Sequence, residues 1–271
     1  MSTYVNHPAR ALDRTTSILG RLLLGFSLLF LLLPAILIVV LSFGTDPRVR
    51  FPPEGWGLDR YVDVFTSGSW GGPLLLSLEV ALYAAVGTLV VALPLVFAAN
   101  RSRLPGRSLL EGVAIAPVVI PISAYAVGMY AVFAELDLIG TQRGVVLAHI
   151  THALPLVVIV LSTSLEQIRT ELELAAMTMG ATRLRAWGGI TLRLLLPAVV
   201  SGFLFGFISS FDEAVLITFL GGSGLVTLPK YIFDSVQYSV DPAITAIATL
   251  LMFAVTFLML LSSTLRRKEG R

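Results

Sequence analysis

Apolar residues along this chain gather into six long runs; they neither alternate as in half-buried strands nor stripe short soluble helices. A run of about 20 apolar residues forms a helix long enough to cross a hydrocarbon layer of about 30 Å. The runs predict membrane helices at 20–43, 74–98, 109–134, 145–165, 194–219 and 243–265. The expected fold is therefore all-α and polytopic, with residues 1–271 as a single transmembrane domain. The longest interval between runs is about 30 residues, below the roughly 50 of a small independent domain. No soluble catalytic domain fits, so any large partner is another chain. Prolines 34, 94, 117, 121 and 155 fall inside the runs. Membrane helices tolerate them because neighbours satisfy the freed carbonyls, and the Pro117/Pro121 pair can also line a pathway. The first run, Leu22 to Phe43, is too long for a signal-peptide core and no small-residue cleavage site follows it, so an anchor helix is expected.

Composition narrows the chemistry. Apolar residues are 56% and charged residues 13% of the 271, with no cysteine. Disulfides, thiolate metal sites and cysteine nucleophiles are thereby removed. Neither lysine, Lys230 or Lys268, stands in the Gly-x4-Gly-Lys-Ser/Thr setting of a phosphate-binding loop, so the chain carries no Walker-type ATP site. The formal net charge is only +2, and the basic residues make sense by position, without nucleic-acid binding. Fourteen lie in the 1–19 arm with Arg21, the 100–108 turn, the 166–193 loop and the 266–271 tail, against five (Arg48, Arg50, Arg60, Arg143, Lys230) in the opposite loops. By the positive-inside rule both termini and the 166–193 loop are expected on the cytoplasmic side. Ser108 to Glu111 forms a capping-box pattern ahead of the third run.

The 166–193 loop is the longest of the basic connections and looks helical. Thr170-Glu171-Leu172-Glu173 matches a capping box, and Ile168, Leu172, Ala175 and Met179 follow as one apolar stripe. Gly180 suits a left-handed helix end, and Thr182 can cap a second helix through Arg183, Leu184, Trp187 and Ile190 into the fifth run. A nine-residue helix from Glu171 to Met179, about 13 Å long, is too short to be stable alone in water. It must dock on a partner surface, on its own helix ends, or in the lipid headgroups. The small pair Ala175-Ala176 permits close approach.

The segment Leu174-Ala-Ala-Met-Thr-Met-Gly180-Ala-Thr182, with Ile190-Thr-Leu192 and Pro197 through Gly202, resembles the Glu-Ala-Ala signature of ATP-binding-cassette importer permeases. That signature marks a coupling helix that docks on the ATPase subunit. Two positions depart from it: the motif Glu is Leu174, and its Pro is Arg193. Glu171 or Glu173 can substitute for the Glu, although Glu173 is equally explained as a capping residue. The resemblance places the ATPase-coupling surface at Glu171, Glu173, Leu174, Ala175, Ala176, Met179, Gly180, Ala181 and Thr182. It extends along nearly the whole chain to the second permease subunit of spermidine/putrescine-type importers. It rests on Ser42-Phe43, Phe51-Pro-Pro53 before Tyr61, Pro117 with Pro121, His149 with Pro155, Ser210-Phe-Asp212-Glu213, Thr227-Leu-Pro229 with Tyr231-Ile232, and Pro242 with Ala246 and Ala248.

It implies a MetI-like fold, a sister permease forming a heterodimer, two ATPase subunits, an extracytoplasmic binding protein, and a lipid environment in the bacterial inner membrane. It implies no cofactor on this chain, ATP and magnesium belonging to the ATPase. Polyamine is the first-choice substrate; opines, aminoethylphosphonate and ferric iron use related permeases. A stand-alone channel or secondary carrier is the alternative class. It predicts inverted repeats around midplane ionisable groups, and the two halves show no such correspondence.

Ionisable residues at membrane depth cost roughly 2.5–3.5 kcal/mol each on insertion scales. Glu79, Asp212 and Glu213, with Ser209, Ser210 and Tyr125, are the residues that can line a pathway for a cation, or else sit solvated near the interface. Adjacent Asp212 and Glu213 point about 100° apart on a helix, so both are not expected to face one pathway. His149 and His152 offer two metal ligands without a third, and hydrogen-bonded packing is the expected role. The 44–72 and 221–242 segments are expected to receive the binding protein.

Overall fold

The computed structural model describes residues 9–102, 105–238 and 241–269; expectations for the 1–8 arm, Arg103 and Arg271 lie outside these. It consists of helices α1 (Ala9–Ser42), α2 (Asp59–Thr66), α3 (Gly71–Arg101), α4 (Arg107–Ile115), α5 (Ile122–Glu135), α6 (Gln142–Glu166), α7 (Thr170–Thr178), α8 (Arg183–Ala186), α9 (Leu192–Phe211), α10 (Val215–Leu220), α11 (Leu228–Tyr238) and α12 (Ala243–Glu269). A short 3-10 turn follows α4 and a π-helical turn, Trp187–Thr191, joins α8 to α9. Among the described residues there is no strand, only an isolated bridge between Gly44 and Trp56.

Leu19–Ser42, Gly71–Arg101, Gln142–Glu166 and Arg183–Phe211 are long and apolar enough to cross a membrane. A fifth crossing results if α4 and α5 count together, and Ala243–Phe257 adds a shorter apolar stretch, so six spans remain compatible. Two expected helices are interrupted. The 109–134 segment bends by 111° between its two halves. Pro117 sits in the 3-10 turn and Pro121 caps α5, where neither can donate an amide to a continuing helix. The 194–219 segment stops at Phe211 and restarts at Val215. The capping box expected at Ser108 is not formed: α4 starts at Arg107 behind a left-handed Gly106, with no side-chain cap.

The chain divides into two compact units, residues 1–68 with 239–271, and residues 69–238. In the first unit α1 presents exposed Leu22, Phe26, Phe30 and Leu31, the lipid-facing or partner-facing surface expected of an anchor helix. Arg60, counted among the basic residues of the opposite loops, is only 4% exposed. Its guanidinium donates to the carbonyls of Leu41, Asp46 and Arg48 and to Thr245 Oγ1, at 3.2 Å for the last. Burial pulls its pKa below the ordinary value, and Asp46 opposes that pull. Tyr61 adds a 2.6 Å hydroxyl contact with Ser42. Arg60→Met removes the donor from these acceptors and is expected to cost about 2 kcal/mol, read as a lower detergent-resistance temperature of the purified chain.

In the second unit α3, α6 and α9 form the core. Ala92, Val96, Val157, Val158, Leu161, Leu165 and Leu195 are all buried there. Small residues set the spacing, as is usual where helices associate without a hydrophobic driving force. A Cβ on Gly87 would come within 2.4 Å of Ile150 Cδ1, and one on Gly206 within 3.5 Å of Ala85 Cα. Gln142 meets Glu79 near the starts of α6 and α3, while Arg101 meets the Leu165 carbonyl near their ends, so these helices run parallel. Ser210, at the end of α9, meets His149 near the start of α6, so α9 runs the other way.

Candidate functional site

The expected site residues fall into two groups at opposite ends of this three-helix core. From His149 to Leu165 along α6 is 16 residues, about 24 Å at 1.5 Å per residue.

The first group is built around α7. The helix begins at Thr170 with Arg169 at its cap and no side-chain capping bond. The expected capping box is therefore absent, one residue out of register. Glu173 turns elsewhere: its carboxylate accepts the Thr191 hydroxyl at 2.6 Å and lies 3.3 Å from Arg101 Nε. Gly180 ends the helix with φ +94°, and the amides of Gly180 and Ala181 close back onto the carbonyls of Met177 and Ala176, both at 3.0 Å. This is the Schellman closure that needs a residue free to adopt positive φ. Thr182 accepts the Arg185 amide at 3.3 Å and caps α8, as expected. The Trp187 ring packs on Phe97 at 4.7 Å.

The expected stripe is not the buried face. Ala176 is 7% exposed, whereas Leu172, Leu174 and Met179 are 44%, 54% and 82% exposed. Only Ile168, ahead of the helix, packs against the core. Ala175 is exposed as well. Glu171 is solvent-exposed beside Arg169 at 3.6 Å. Its own backbone amide, and then Arg169, hold its carboxyl below the usual range.

The second group joins α6 to the break between α9 and α10. The His149 ring is fully buried, with Nδ1 2.7 Å from Ser210 Oγ. His152 Nε2 lies 3.6 Å from Glu213 Oε2. His149 makes the hydrogen-bonded packing expected of it, and His152 has an ionisable neighbour beyond hydrogen-bond distance. The other Glu213 oxygen accepts the amides of Val215 and Leu216, at 3.0 Å for the latter. Glu213 is a buried cap for α10, which explains why the helix breaks where the apolar run continues. Asp212 is exposed and Ser209 half-buried. Tyr125 packs with Ala126, Ala148, Leu216 and Leu220. Glu79 is exposed and accepts from Gln142 Nε2 at 3.1 Å. Ser210 and Glu213 are thus brought together on α6, while Glu79 is tied to the first turn of that helix. Arg101 and Thr191 were not among the residues singled out from sequence. The one signal for Arg101 was its place in a basic turn.

Apolar helices long enough to cross a membrane, one broken span and a short exposed helix at one end make a polytopic helix bundle. The chain belongs to the binding-protein-dependent transport system inner membrane component family, whose model matches residues 91–267, and is a permease of an ATP-binding-cassette importer. It is 33% identical over 241 residues to the putrescine transport system permease protein PotI of Escherichia coli (strain K12), covering 86% of this chain and 85% of that one. It is 29% identical over 241 residues to the spermidine/putrescine transport system permease protein PotC of Haemophilus influenzae, covering 89% and 93%. In fold it is similar to a chain of a bacterial transporter for import of the polysaccharide alginate, at TM-score 0.74 and 18% identity over 97% of this chain and 99% of that one.

Proposed function

We propose that this chain is the permease half of a polyamine importer of the putrescine or spermidine class. It pairs with a sister permease, receives substrate from an extracytoplasmic binding protein and is driven by two ATPase subunits, which supply the ATP and magnesium chemistry. Both termini and α7 lie on the cytoplasmic side, an orientation supported by fourteen basic residues against five. The observation that carries the coupling role is the outward apolar edge of α7. Leu172, Leu174 and Ala175 are exposed on a helix of nine residues, too short to stand alone, and Met179 is exposed at its cap. In this reading Glu171 substitutes for the motif Glu absent at Leu174, which its exposure supports.

The substrate class is supported by the two polyamine permeases among the relatives. The exposed carboxylates Glu79 and Asp212 on the second unit also suit a cation. The test is to purify the chain with its co-expressed ATPase and binding protein and to measure ATP hydrolysis as solutes are added. Putrescine or spermidine is expected to raise the rate severalfold. Stimulation by sulfate, an opine, aminoethylphosphonate or ferric iron, with none by a polyamine, would overturn the substrate assignment.

A further inference from the structure

Of the two carboxylates on α7, Glu171 faces outward and Glu173 faces its own protein, with its side chain 12% exposed. Little else fastens α7: Ala176 is its one buried residue, and a single methyl contributes less than 1 kcal/mol of burial. The polar contacts of Glu173 therefore dominate the attachment. They reach α3 and the turn into α9 directly, and the end of α6 through Arg101. Arg101, the last residue of α3, lies 3.3 Å from the carboxylate. The same guanidinium donates to the carbonyls of Leu165 and Ile168 at the end of α6, at 3.1 Å for Leu165. A cation is favoured there by the negative end of the helix dipole. Thr191, on the turn that leads into α9, donates to Glu173 at 2.6 Å and is itself fully buried. At this burial, salt and water screen the charge pair far less than on an open surface.

We infer that Glu173 is a positioning residue: by gripping Arg101 and Thr191, it makes α7 move as one body with the ends of α3, α6 and α9. A push received on the outer edge of α7 is thereby delivered to the whole three-helix core. The inference rests on the docking reading of α7, but it assigns Glu173 to transmission inside the chain and not to contact with the ATPase. The surroundings make the carboxylate hard to replace. A cleft of about 250 Å³ beside it is lined also by Arg101, Arg107 and Arg183. Glu173→Gln leaves that cleft lined by three guanidinium groups and no carboxylate, Glu171 standing outward beside Arg169. Thr191→Val is milder, because the Arg101 pair survives.

The experiment uses the complete transporter in proteoliposomes with Glu173→Gln, Thr191→Val and the double variant. ATPase retention and basal ATP hydrolysis stay at wild-type level. Transport per ATP hydrolysed falls by about tenfold in Glu173→Gln, a typical coupling factor, and by less in Thr191→Val. The double variant matches Glu173→Gln, because both changes act on one carboxylate. Loss of the ATPase from Glu173→Gln would make Glu173 an interface contact and overturn the inference, as would wild-type transport per ATP in both single variants. Failure of the docking reading shows up separately, as ATPase retention when the outer edge of α7 is altered.

Discussion

Replacing both Leu174 and Met179 with Asp is expected to abolish ATP-driven uptake and to strip the ATPase from the purified complex, while membrane insertion and thermal stability stay unchanged. The two side chains are 54% and 82% exposed in the isolated chain, so their loss removes little internal packing, that of Leu174 at the edge of the cleft beside Glu173. In a docked complex each would bury apolar surface worth about 2 kcal/mol. Losing both weakens association by about 4 kcal/mol, close to a thousandfold in the dissociation constant, before the cost of burying two carboxylates. Pull-down of the ATPase with tagged permease, alongside uptake, reads both effects. Normal uptake in this variant would refute the docking role. Ala176→Trp is a poorer probe, because Ala176 faces inward at 7% exposure and a bulky ring there disturbs the chain's own packing.

The second large effect is at Glu213. Glu213→Leu leaves the amides of Val215 and Leu216 without their acceptor and His152 without its partner. A lost helix cap costs about 1–2 kcal/mol, and a buried donor left unsatisfied costs about 1–3 kcal/mol. These are two estimates of one loss, about 2 kcal/mol, enough to lower Tm by several degrees and to collapse uptake. Glu213→Gln keeps an acceptor oxygen for both amides and is expected to retain most of the stability. Asp212→Asn changes an exposed side chain and should leave Tm alone while reducing uptake of a dication relative to a neutral solute. A scan of Tm across the three variants separates the roles. Equal Tm for Glu213→Leu and Asp212→Asn would show that Glu213 is not a structural cap.

The helical class, the apolar stretches and the C-terminal end of the short helix were legible because each follows from a local rule. Twenty apolar residues in a row have few soluble solutions. Gly180 and Thr182 stand where a positive φ and an amide acceptor are needed. The breaks were less legible. A hydropathy window sees Pro117 to Pro121 as apolar and registers nothing of a 111° bend. The stop at Phe211 depends on Glu213 folding back onto the next two amides, in a run where no Gly or Pro marks a break.

Glu173 shows the limit most clearly. Its spacing from Thr170 fits a capping box, yet a guanidinium from the end of α3, 72 positions earlier in the chain, and the Thr191 hydroxyl offer stronger partners. An ion pair together with a 2.6 Å hydroxyl bond outweighs a single bond to one backbone amide, and no window of sequence contains both ends of the pair. The same long-range folding hid Arg60, which reads as a loop charge until Leu41 and Thr245 close around it.

The most direct measurement is uptake of radiolabelled putrescine into proteoliposomes holding this chain, first alone and then with its sister permease, ATPase, binding protein and ATP. Accumulation that requires the complete set and ATP is the predicted result. Equilibrating flux through the chain reconstituted by itself would contradict a permease driven from outside its own sequence.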